Sequence, residues 1–488
     1  MLQRSTSLAC DPSETSTGRL LEQAFEQVRA EQEVFDHFSS AVLAEVAAGV
    51  AAPDLPERDE TAVELVTIDP PGSMDLDQAM HIERHGDGFR VRYAIADVPA
   101  FLRAGGALDA ETWQRGQTVY CPDRRVPLHP PELSEDAASL LPDAARPAYV
   151  WDIRLTATGE RDTAELYRAM VRSRRRYDYE QVQQQVDDGE AEETLMLLRE
   201  VGELRIRRES DRGGASLPMP QQEVQVGEGC EYELRLRPLV PAEDWNAQIS
   251  LLTGMVAAEM MIEGGVGILR TMPVPTQEAV ARFRREVRAL GEDWPQDMAY
   301  GDFLRTLDKT DPAHLAIVSA ATALFRGAGY TAFEGELPEE EERVQAALAA
   351  PYTHVTAPLR RLVDRFALAV CEALSSGREV PEWAREALPR LPEVMAQTGQ
   401  RTRAVDRACI DAVEAAVLAD RVGHSFRAVV VDGLPRGDVI VQLEDPPVSE
   451  VARGSAELGS EVTVRVEEAD VLTRTVRLRV VPEEPTGP

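Results

Sequence analysis

The stretch VELVTIDPPGSMDLDQAMHIERHGDGFRVRYAIADV, residues 63–98, has the pattern of a strand, a rigid turn and a second strand. VELVTID is a short apolar run, and FRVRYAIADV alternates apolar with polar residues, as a half-buried strand does. Between them, Pro70, Pro71 and Gly72 exclude a helix and force a turn. A later segment, AYVWDIRLTATG, alternates in the same way, so the sequence predicts a sheet built around this turn.

The turn concentrates negative charge, because it carries Asp69, Asp75 and Asp77 and ends at Gln78, where a fourth acid would fit. Residues two apart in an extended chain point to the same side, so Asp75 and Asp77 are predicted to face together. If the turn folds back, Asp69 joins them, and three unpaired carboxylates raise one another's pKa. A hard cation such as Mg²⁺ relieves that repulsion, and metal sites of this kind hydrolyse phosphodiesters. An Asp-rich surface turn is the alternative that these residues leave open.

Outside the turn, the periodicity of the apolar residues divides the chain into three parts. Helical spacing runs from Gly18 to about Val50 and returns at Glu192–Arg208 and Ala247–Glu263. The last sixty or so residues contain four alternating segments separated by Gly, Pro and acidic turns, which favours a small closed barrel such as an OB-fold. We therefore predict an α+β protein with a helical N-terminal module (a candidate helix-turn-helix) and linker over residues 1–60, a mixed sheet with packed helices over 61–422, and an OB-fold over 423–488.

Composition limits the classes of partner. The chain has 488 residues, of which 43% are hydrophobic and 28% charged, which is ordinary for a globular protein. The net charge of −33 argues against an open phosphate-binding surface, although arginines lining a local channel remain compatible with it. Solvated helix faces are the alternative for each arginine cluster. The five cysteines form no CxxC pair, and no apolar stretch is long enough to span a bilayer. We expect a cytoplasmic monomer with neither a disulfide framework nor a zinc site.

Three segments give the chain a family resemblance. TIDPPGSMDLDQA (67–79) and YAIADVPAFLRAGGALDAETWQRGQTVYCPDRRVPLHPPELSEDAASLLP (93–142) closely resemble the catalytic domain of the ribonuclease II and ribonuclease R family. YTHVTAPLRRLVDRF (352–366) resembles that family's Tyr-Thr-His-x-Thr-Ser-Pro-Ile-Arg-Arg motif. The resemblance runs from about Ala62 to Val422, and the barrel after it is similar to the family's S1 domain. It implies a processive, hydrolytic 3′→5′ exoribonuclease that threads single-stranded RNA and releases 5′-mononucleotides with Mg²⁺. The paired cold-shock domains usual in the family have no room here, so we expect a short bacterial form.

The resemblance also implies roles for particular residues. Asp69, Asp75 and Asp77 fall on the first three metal-site aspartates of the family, and Gln78 falls on the fourth. A neutral Gln78 can still ligate a metal through its amide oxygen, but the missing charge weakens the case for a second metal. Catalysis is therefore expected to depend on the three aspartates together with Arg360.

Five positions are expected to contact RNA: Arg360, Arg361, Asp406 and two tyrosines. Pro358 favours a helix start, which predicts Arg360 in the first helical turn, where its guanidinium and backbone N–H groups hold a phosphate. Arg361 follows it, and either arginine is predicted to pair with Asp364. Asp406 falls where the family has an acid near the RNA end, and a salt bridge to a neighbouring arginine is its alternative.

Two tyrosines match family residues at the terminal nucleotides. Tyr120 corresponds to a tyrosine that stacks on the 3′ base, although a packed core tyrosine is the other interpretation. Tyr179 corresponds to a second one, and Tyr177 lies only two positions away. Stacking suits a sequence-blind channel because every base offers a π-face.

Two other functions compete with the nuclease. The first is an RNA-binding protein on the same scaffold whose catalysis Gln78 has weakened. The second is an acidic adaptor that contacts a larger complex through its N-terminal helices. The C-terminal barrel has Phe426 but few other aromatic residues, so a packing role competes with RNA stacking there.

Overall fold

The computed structural model describes residues 15–215, 221–226, 232–237, 239–308, 311–435 and 437–481. The chain begins with two helices, α1 (Ser16–Glu31) and α2 (Ser40–Ala51). Thr15 caps α1 and Ser39 caps α2, each accepting a backbone N–H of the first turn through its hydroxyl oxygen. The apolar face of α1 packs in a core shared with the last long helix, whereas α2 packs in a core next to the first sheet. Since the two helices use different cores, they do not pack as the helix-turn-helix module that the sequence suggested.

The first sheet is a closed five-stranded barrel, and it carries the acidic turn between its first two strands. Its strands pair antiparallel except where β1 and β7 run parallel and close the barrel. The elements of this region are β1 (Leu65–Ile68), β2 (Gln78–His85), β3 (Gly88–Ala96), α3 (Ala107–Arg115), β4 (Val119–Tyr120), β5 (Arg125–Val126), β6 (Ala145–Leu155) and β7 (Arg161–Tyr177). The short strands β4 and β5 form a separate hairpin. The predicted mixed sheet is therefore confirmed, and it closes on itself.

A layer of helices covers this barrel and completes the largest core. Alternate strand residues such as Val91, Tyr93 and Trp151 face that core, where α5, α6 and α10 pack against them. The elements are α4 (Tyr179–Asp188), α5 (Glu193–Asp211), β8 (Gln221–Val226), β9 (Tyr232–Arg237), α6 (Pro241–Gly264), β10 (Val266–Thr271), α7 (Gln277–Ala289), α8 (Tyr300–Arg305), α9 (Pro312–Ala321), β11 (Gly329–Glu334), β12 (Val344–Gln345), β13 (Ala350–Pro351), α10 (Leu362–Ser375), α11 (Glu382–Ala387) and α12 (Leu391–Ala419).

The C-terminal segment forms a second closed barrel, as predicted. It consists of β14 (Ser425–Gly433), β15 (Val439–Leu443), β16 (Ser449–Arg453), β17 (Glu461–Asp470) and β18 (Thr475–Val481), in the order β14-β15-β16-β18-β17. Arg474 donates two hydrogen bonds to Glu31 of α1, at 2.8 and 3.0 Å. The barrel core is continuous with the core between α1 and α12, so the barrel is packed onto the rest of the chain.

Across the described ranges, we find no helix with the length and apolar character that a membrane crossing requires. Three cysteines, Cys121, Cys371 and Cys409, are buried free thiols. Cys10 and Cys230 lie outside the described residues.

Candidate active site

The acidic turn begins where β1 and β7 end side by side. The backbone N–H of Asp69 donates to the carbonyl of Tyr177 at 3.1 Å, which continues the parallel pairing by one residue. Pro70 and Gly72 then reverse the chain, and Gly72 has φ +83°, a conformation that other residues rarely adopt. Asp69 therefore lies directly after β1, at the start of a turn that Pro70, Pro71 and Gly72 make rigid.

The carboxyl group of Asp69 is buried and incompletely bonded. No described residue donates a hydrogen bond to its Oδ2 atom. Burial raises the pKa of Asp69 to about 7, with nearby Asp75 adding to the rise and Arg360 opposing it. A buried carboxylate oxygen without a partner is costly in a folded protein, and a bound cation removes that cost.

Ser139 stabilises the second half of the turn through two hydrogen bonds. Its hydroxyl donates to the carbonyl of Met74 at 2.6 Å and accepts the N–H of Leu76 at 2.9 Å. Leu76 is fully buried, so Asp75 and Asp77 flank an anchored residue. Asp75 accepts a hydrogen bond from Nη1 of Arg125, a residue of β5. Asp77 is buried, and its Oδ1 accepts the backbone N–H of Leu359 at 2.8 Å.

Asp77 also faces Arg360, which lies in the segment of residues 352–366. Nε of Arg360 lies 3.5 Å from Oδ2 of Asp77, and the Arg360 side chain is 36% exposed. Burial raises the pKa of Asp77 well above its ordinary value, against the opposing effects of Arg360 and the Leu359 N–H, while Asp75 adds to the rise. Arg360 and Asp75 are therefore common neighbours of both buried aspartates.

The three carboxylates are more widely spread than the sequence suggested. Among the described residues, the acidic side chains with all ligand atoms within 4.8 Å of one another are Asp411, Glu414 and Glu450, which lie on α12 and β16. Asp75 adds to the raised pKa of both Asp69 and Asp77, but the three carboxylates do not form so tight a cluster. Their hard oxygen donors and the unpartnered Oδ2 of Asp69 fit a divalent cation such as Mg²⁺.

Gln78 is used as a bridge. Its amide nitrogen donates to the backbone carbonyl of Thr356 at 2.5 Å, and its amide oxygen accepts the hydroxyl of Tyr93 at 2.8 Å. Because a carbonyl only accepts, the contact with Thr356 fixes which end of the amide is nitrogen. The side chain thus joins the acidic turn to the segment that carries Arg360, across 278 residues of sequence.

The predicted helical position of Arg360 is wrong, because α10 begins only at Leu362 and Arg360 lies in the turn before it. Arg361 is extended, with φ −136° and ψ 128°, and bridges to Gln117. The reason is tertiary: Asp77 takes the N–H of Leu359, and the carbonyl of Arg360 accepts the N–H of Thr118 at 3.0 Å. A helix would have needed the carbonyl of Arg360, which Thr118 uses instead, whereas the N–H of Leu359 would have been free in a first helical turn.

Arg361 itself has a partner within the protein. Its guanidinium donates to both oxygens of Asp364, at 2.9 and 2.8 Å, and the Asp364 side chain has no exposed surface. The predicted pairing with Asp364 therefore holds for Arg361, while Arg360 faces Asp77. Of the two arginines, Arg360 is the one directed at the acidic turn.

The two predicted stacking tyrosines lie next to the acids. Tyr120, on β4, is opposite Arg125 in the hairpin, and burial followed by the charge of Asp75 raises its pKa. Tyr179 begins α4, and burial followed by Asp69 raises its pKa as well. Tyr177 instead donates its hydroxyl to Glu192 at 3.1 Å. The structure therefore brings Tyr179, and not Tyr177, to the site.

Asp406 lies on α12, and burial raises its pKa. No described residue hydrogen-bonds its Oδ1 atom, and Arg407 pairs with Asp411 at 2.8 Å. The alternative salt bridge to Arg403 or Arg407 is therefore not observed among the described residues, and the role of Asp406 near the RNA end stays a prediction.

Sequence reasoning missed His129 and Arg125. Nδ1 of His129 lies 3.1 Å from the carbonyl of Leu359, so this fully packed imidazole holds the residue that donates to Asp77. The available signal was a lone histidine inside the proline-rich run VPLHPP, where a polar ring requires a buried partner. Arg125 was hidden because nothing local indicates that its partners are Asp75 and Glu135.

Comparisons with known proteins identify the family of this chain. A family model described as "RNB domain" matches residues 57–374, and one described as "RNase II-type exonuclease C-terminal S1 domain" matches residues 424–481. "Probable exosome complex exonuclease RRP44" of Caenorhabditis elegans is 28% identical over 324 residues, which is 64% of this chain and 34% of the relative. "Ribonuclease R" of Escherichia coli is 26% identical over 395 residues, which is 75% of this chain and 47% of the relative.

The fold has a solved counterpart. The structure "Mycoplasma genitalium RNase R in complex with ribose methylated single-stranded RNA" superposes with a TM-score of 0.83 at 17% identity, covering 95% of this chain and 78% of the other. The chain spans about a third to a half of the curated relatives named above. With the RNB model matching well over half of its residues, the chain belongs to the RNB family.

Proposed function

We propose that this chain is a 3′→5′ exoribonuclease that degrades single-stranded RNA to 5′-mononucleotides with Mg²⁺. One observation carries the proposal: Arg360 lies against a turn that contains the buried Asp77 and the half-buried Asp69, in a chain of the RNB family. Buried carboxylates beside a partly exposed guanidinium form a site for a cation and a phosphate together.

Each side chain has a defined task in this proposal. Asp69, Asp75 and Asp77 would hold Mg²⁺ through carboxylate oxygens, and the chemistry that a bound ion would supply is activation of water and neutralisation of charge at the leaving oxygen. Arg360 binds the scissile phosphate, since its guanidinium is partly exposed and lies beside Asp77 with its Nε atom not hydrogen-bonded to any described residue. Tyr120 and Tyr179 flank the acids and offer ring faces to the terminal bases.

The backbone of the arginine turn is fixed before any ligand arrives. Leu359 donates to Asp77 and accepts from His129, and Arg360 accepts from Thr118. A phosphate-binding group held in place this way needs no reorganisation when substrate enters, which is the basis of electrostatic preorganisation.

The test uses a 5′-labelled single-stranded RNA with Mg²⁺, followed on a denaturing gel. We expect progressive shortening from the 3′ end and release of mononucleotides. Asp77→Asn keeps an oxygen for the Leu359 N–H but loses the charge, so it should slow cleavage at least about a hundredfold while RNA binding persists. Asp87→Asn, at an exposed aspartate in the β2–β3 turn, is the matched control and should cleave normally.

Intact RNA at stoichiometric protein and saturating Mg²⁺ would overturn the proposal. RNA binding without turnover would then favour the RNA-binding alternative, which the neutral Gln78 at the fourth acid position supports. We further propose that the protein is cytoplasmic and monomeric. A dimer in size-exclusion chromatography with light scattering would contradict the monomeric state.

A further inference from the structure

The guanidinium of Arg125 places a positive charge beside the acidic turn. It lies on β5, its Nη1 donates to Oδ1 of Asp75, and its Nη2 lies 2.8 Å from Oε1 of Glu135. The Arg125 side chain is 26% exposed, and its two partners are 13% and 25% exposed, so these contacts are partly shielded from water. Ion pairs in such surroundings are stronger than fully exposed ones.

The charges around the turn give Arg125 a specific consequence. Asp69, Asp75, Asp77 and Glu135 carry four negative charges when ionised, and Arg125 and Arg360 carry two positive ones. The two arginines offset half of this negative charge and so weaken the attraction for a second divalent ion. A second ion would have to bind beside Arg125, which already occupies one oxygen of Asp75.

Gln78 adds no negative charge to the proposed metal site. An acid at this position would add a further negative charge, but the neutral amide contributes none and is committed to Thr356 and Tyr93. The side chain at the fourth position therefore does not compensate for the positive charge that Arg125 introduces.

We propose that Arg125 is a positioning residue that reserves one oxygen of Asp75, so that the turn takes a single divalent cation with reduced affinity. This inference rests on the proposed Mg²⁺ site. It concerns how Asp75 is presented to the ion: Arg125 uses one lone pair of Oδ1, which leaves Oδ2 as the better ligand.

The experiment measures Mn²⁺ binding to the purified full chain by isothermal titration calorimetry and by the electron paramagnetic resonance signal of free Mn²⁺. Wild type should bind one Mn²⁺. Arg125→Gln removes a positive charge bonded to Asp75, a proposed ligand of the ion, and should tighten binding by about tenfold. Arg125→Lys keeps the charge and should bind close to wild type. Arg124→Gln is the matched control, because Arg124 pairs with Asp36 and Asp123 and should not affect the ion.

A second variant changes the affinity in the opposite direction. Glu135→Gln removes a negative charge and leaves Arg125 with Asp75 as its remaining carboxylate partner, so Mn²⁺ binding should weaken several-fold. Circular dichroism melts check that each variant is folded. If Arg125→Gln does not fold, weaker binding by Glu135→Gln with unchanged binding by Arg124→Gln carries the test.

The outcomes separate this inference from the proposed function. Wild type that binds no Mn²⁺ overturns both. Two ions per wild-type chain, or an Arg125→Gln variant that binds more weakly or unchanged, overturns the role of Arg125 and leaves the nuclease proposal intact. Weaker binding would mean that Arg125 holds Asp75 in place for the metal, and tighter binding means that it competes with the metal.

Discussion

His129 provides the sharpest test of how the site is held together. Its ring is 1% exposed, and Nδ1 donates to the carbonyl of Leu359, since a carbonyl only accepts. The same Leu359 donates its N–H to Asp77, and Arg360 follows it in sequence. Replacing His129 with Phe keeps a ring of similar size in the core but removes both the hydrogen bond and the titrating group.

Protonation of His129 sets the size of the effect. Burial lowers the pKa of His129 to about 3 from its ordinary value near 6.5, against an opposing contribution from the Leu359 hydrogen bond and with additional lowering from Arg365. Below pH 6.5 the unfolded chain takes a proton that the folded chain refuses, so stability is full above that pH and falls as the pH drops. Each pH unit costs about 1.4 kcal/mol, so the loss between pH 6.5 and 5 is about 2 kcal/mol.

Urea unfolding in EDTA at pH 8 and pH 5, followed by tryptophan fluorescence, measures this loss. In His129→Phe the decrease in unfolding free energy between the two pH values should be about 2 kcal/mol smaller than in wild type. At pH 8 the variant should itself be less stable by about 1–3 kcal/mol, because the Leu359 carbonyl loses its donor. His85→Gln, at an exposed histidine, is the control. Equal decreases in wild type and His129→Phe would refute the reasoning.

Three further substitutions test other contacts. Gln78→Asp replaces the amide that donates to Thr356 with a carboxylate that only accepts, so the free energy of unfolding in urea should fall by about 1–3 kcal/mol; unchanged stability would contradict a stabilising role for this hydrogen bond. Arg365→Ala removes the ion-pair partner of Asp109, and the arginine in this pair is only 2% exposed. Calorimetry should therefore show the free energy of unfolding to fall by about 3–5 kcal/mol. The control Arg84→Ala breaks an exposed ion pair and should cost less than about 1 kcal/mol. Tyr120→Ala should weaken RNA binding in fluorescence anisotropy by about 1–3 kcal/mol while Tyr120→Phe binds normally; an equal loss in both would assign the role to the hydroxyl.

Local patterns predicted the elements of the fold better than their arrangement. The alternation in residues 89–98 and 148–159 matches β3 and β6, and the C-terminal strands close into the predicted barrel. Closure of the first barrel depends on the parallel pairing of β1 with β7, about a hundred residues apart, which no local pattern encodes. The N-terminal helices were predicted correctly as helices, but which core each one enters depends on distant partners.

The residues of the candidate site also differ in how well the local sequence predicts them. Asp69, Asp75 and Asp77 were identifiable because a rigid turn and their spacing are local features. Arg360 was identified by motif but given the wrong backbone conformation, since Thr118 takes the Arg360 carbonyl that a helix starting at Pro358 would have needed. Where a backbone group is captured by a residue hundreds of positions away, intrinsic helix signals do not decide the outcome.

These contacts change the meaning of the substitution at Gln78. The acidic turn and the arginine turn are joined by Gln78 to Thr356 and by Asp77 to Leu359, and neither bond involves a metal. A carboxylate at position 78 would face the Thr356 carbonyl, where two acceptors repel, and would add a charge beside Asp77. The amide instead ties the two turns together. The chain has therefore given up a charge at this position and gained a fixed connection between its proposed metal-binding and phosphate-binding residues.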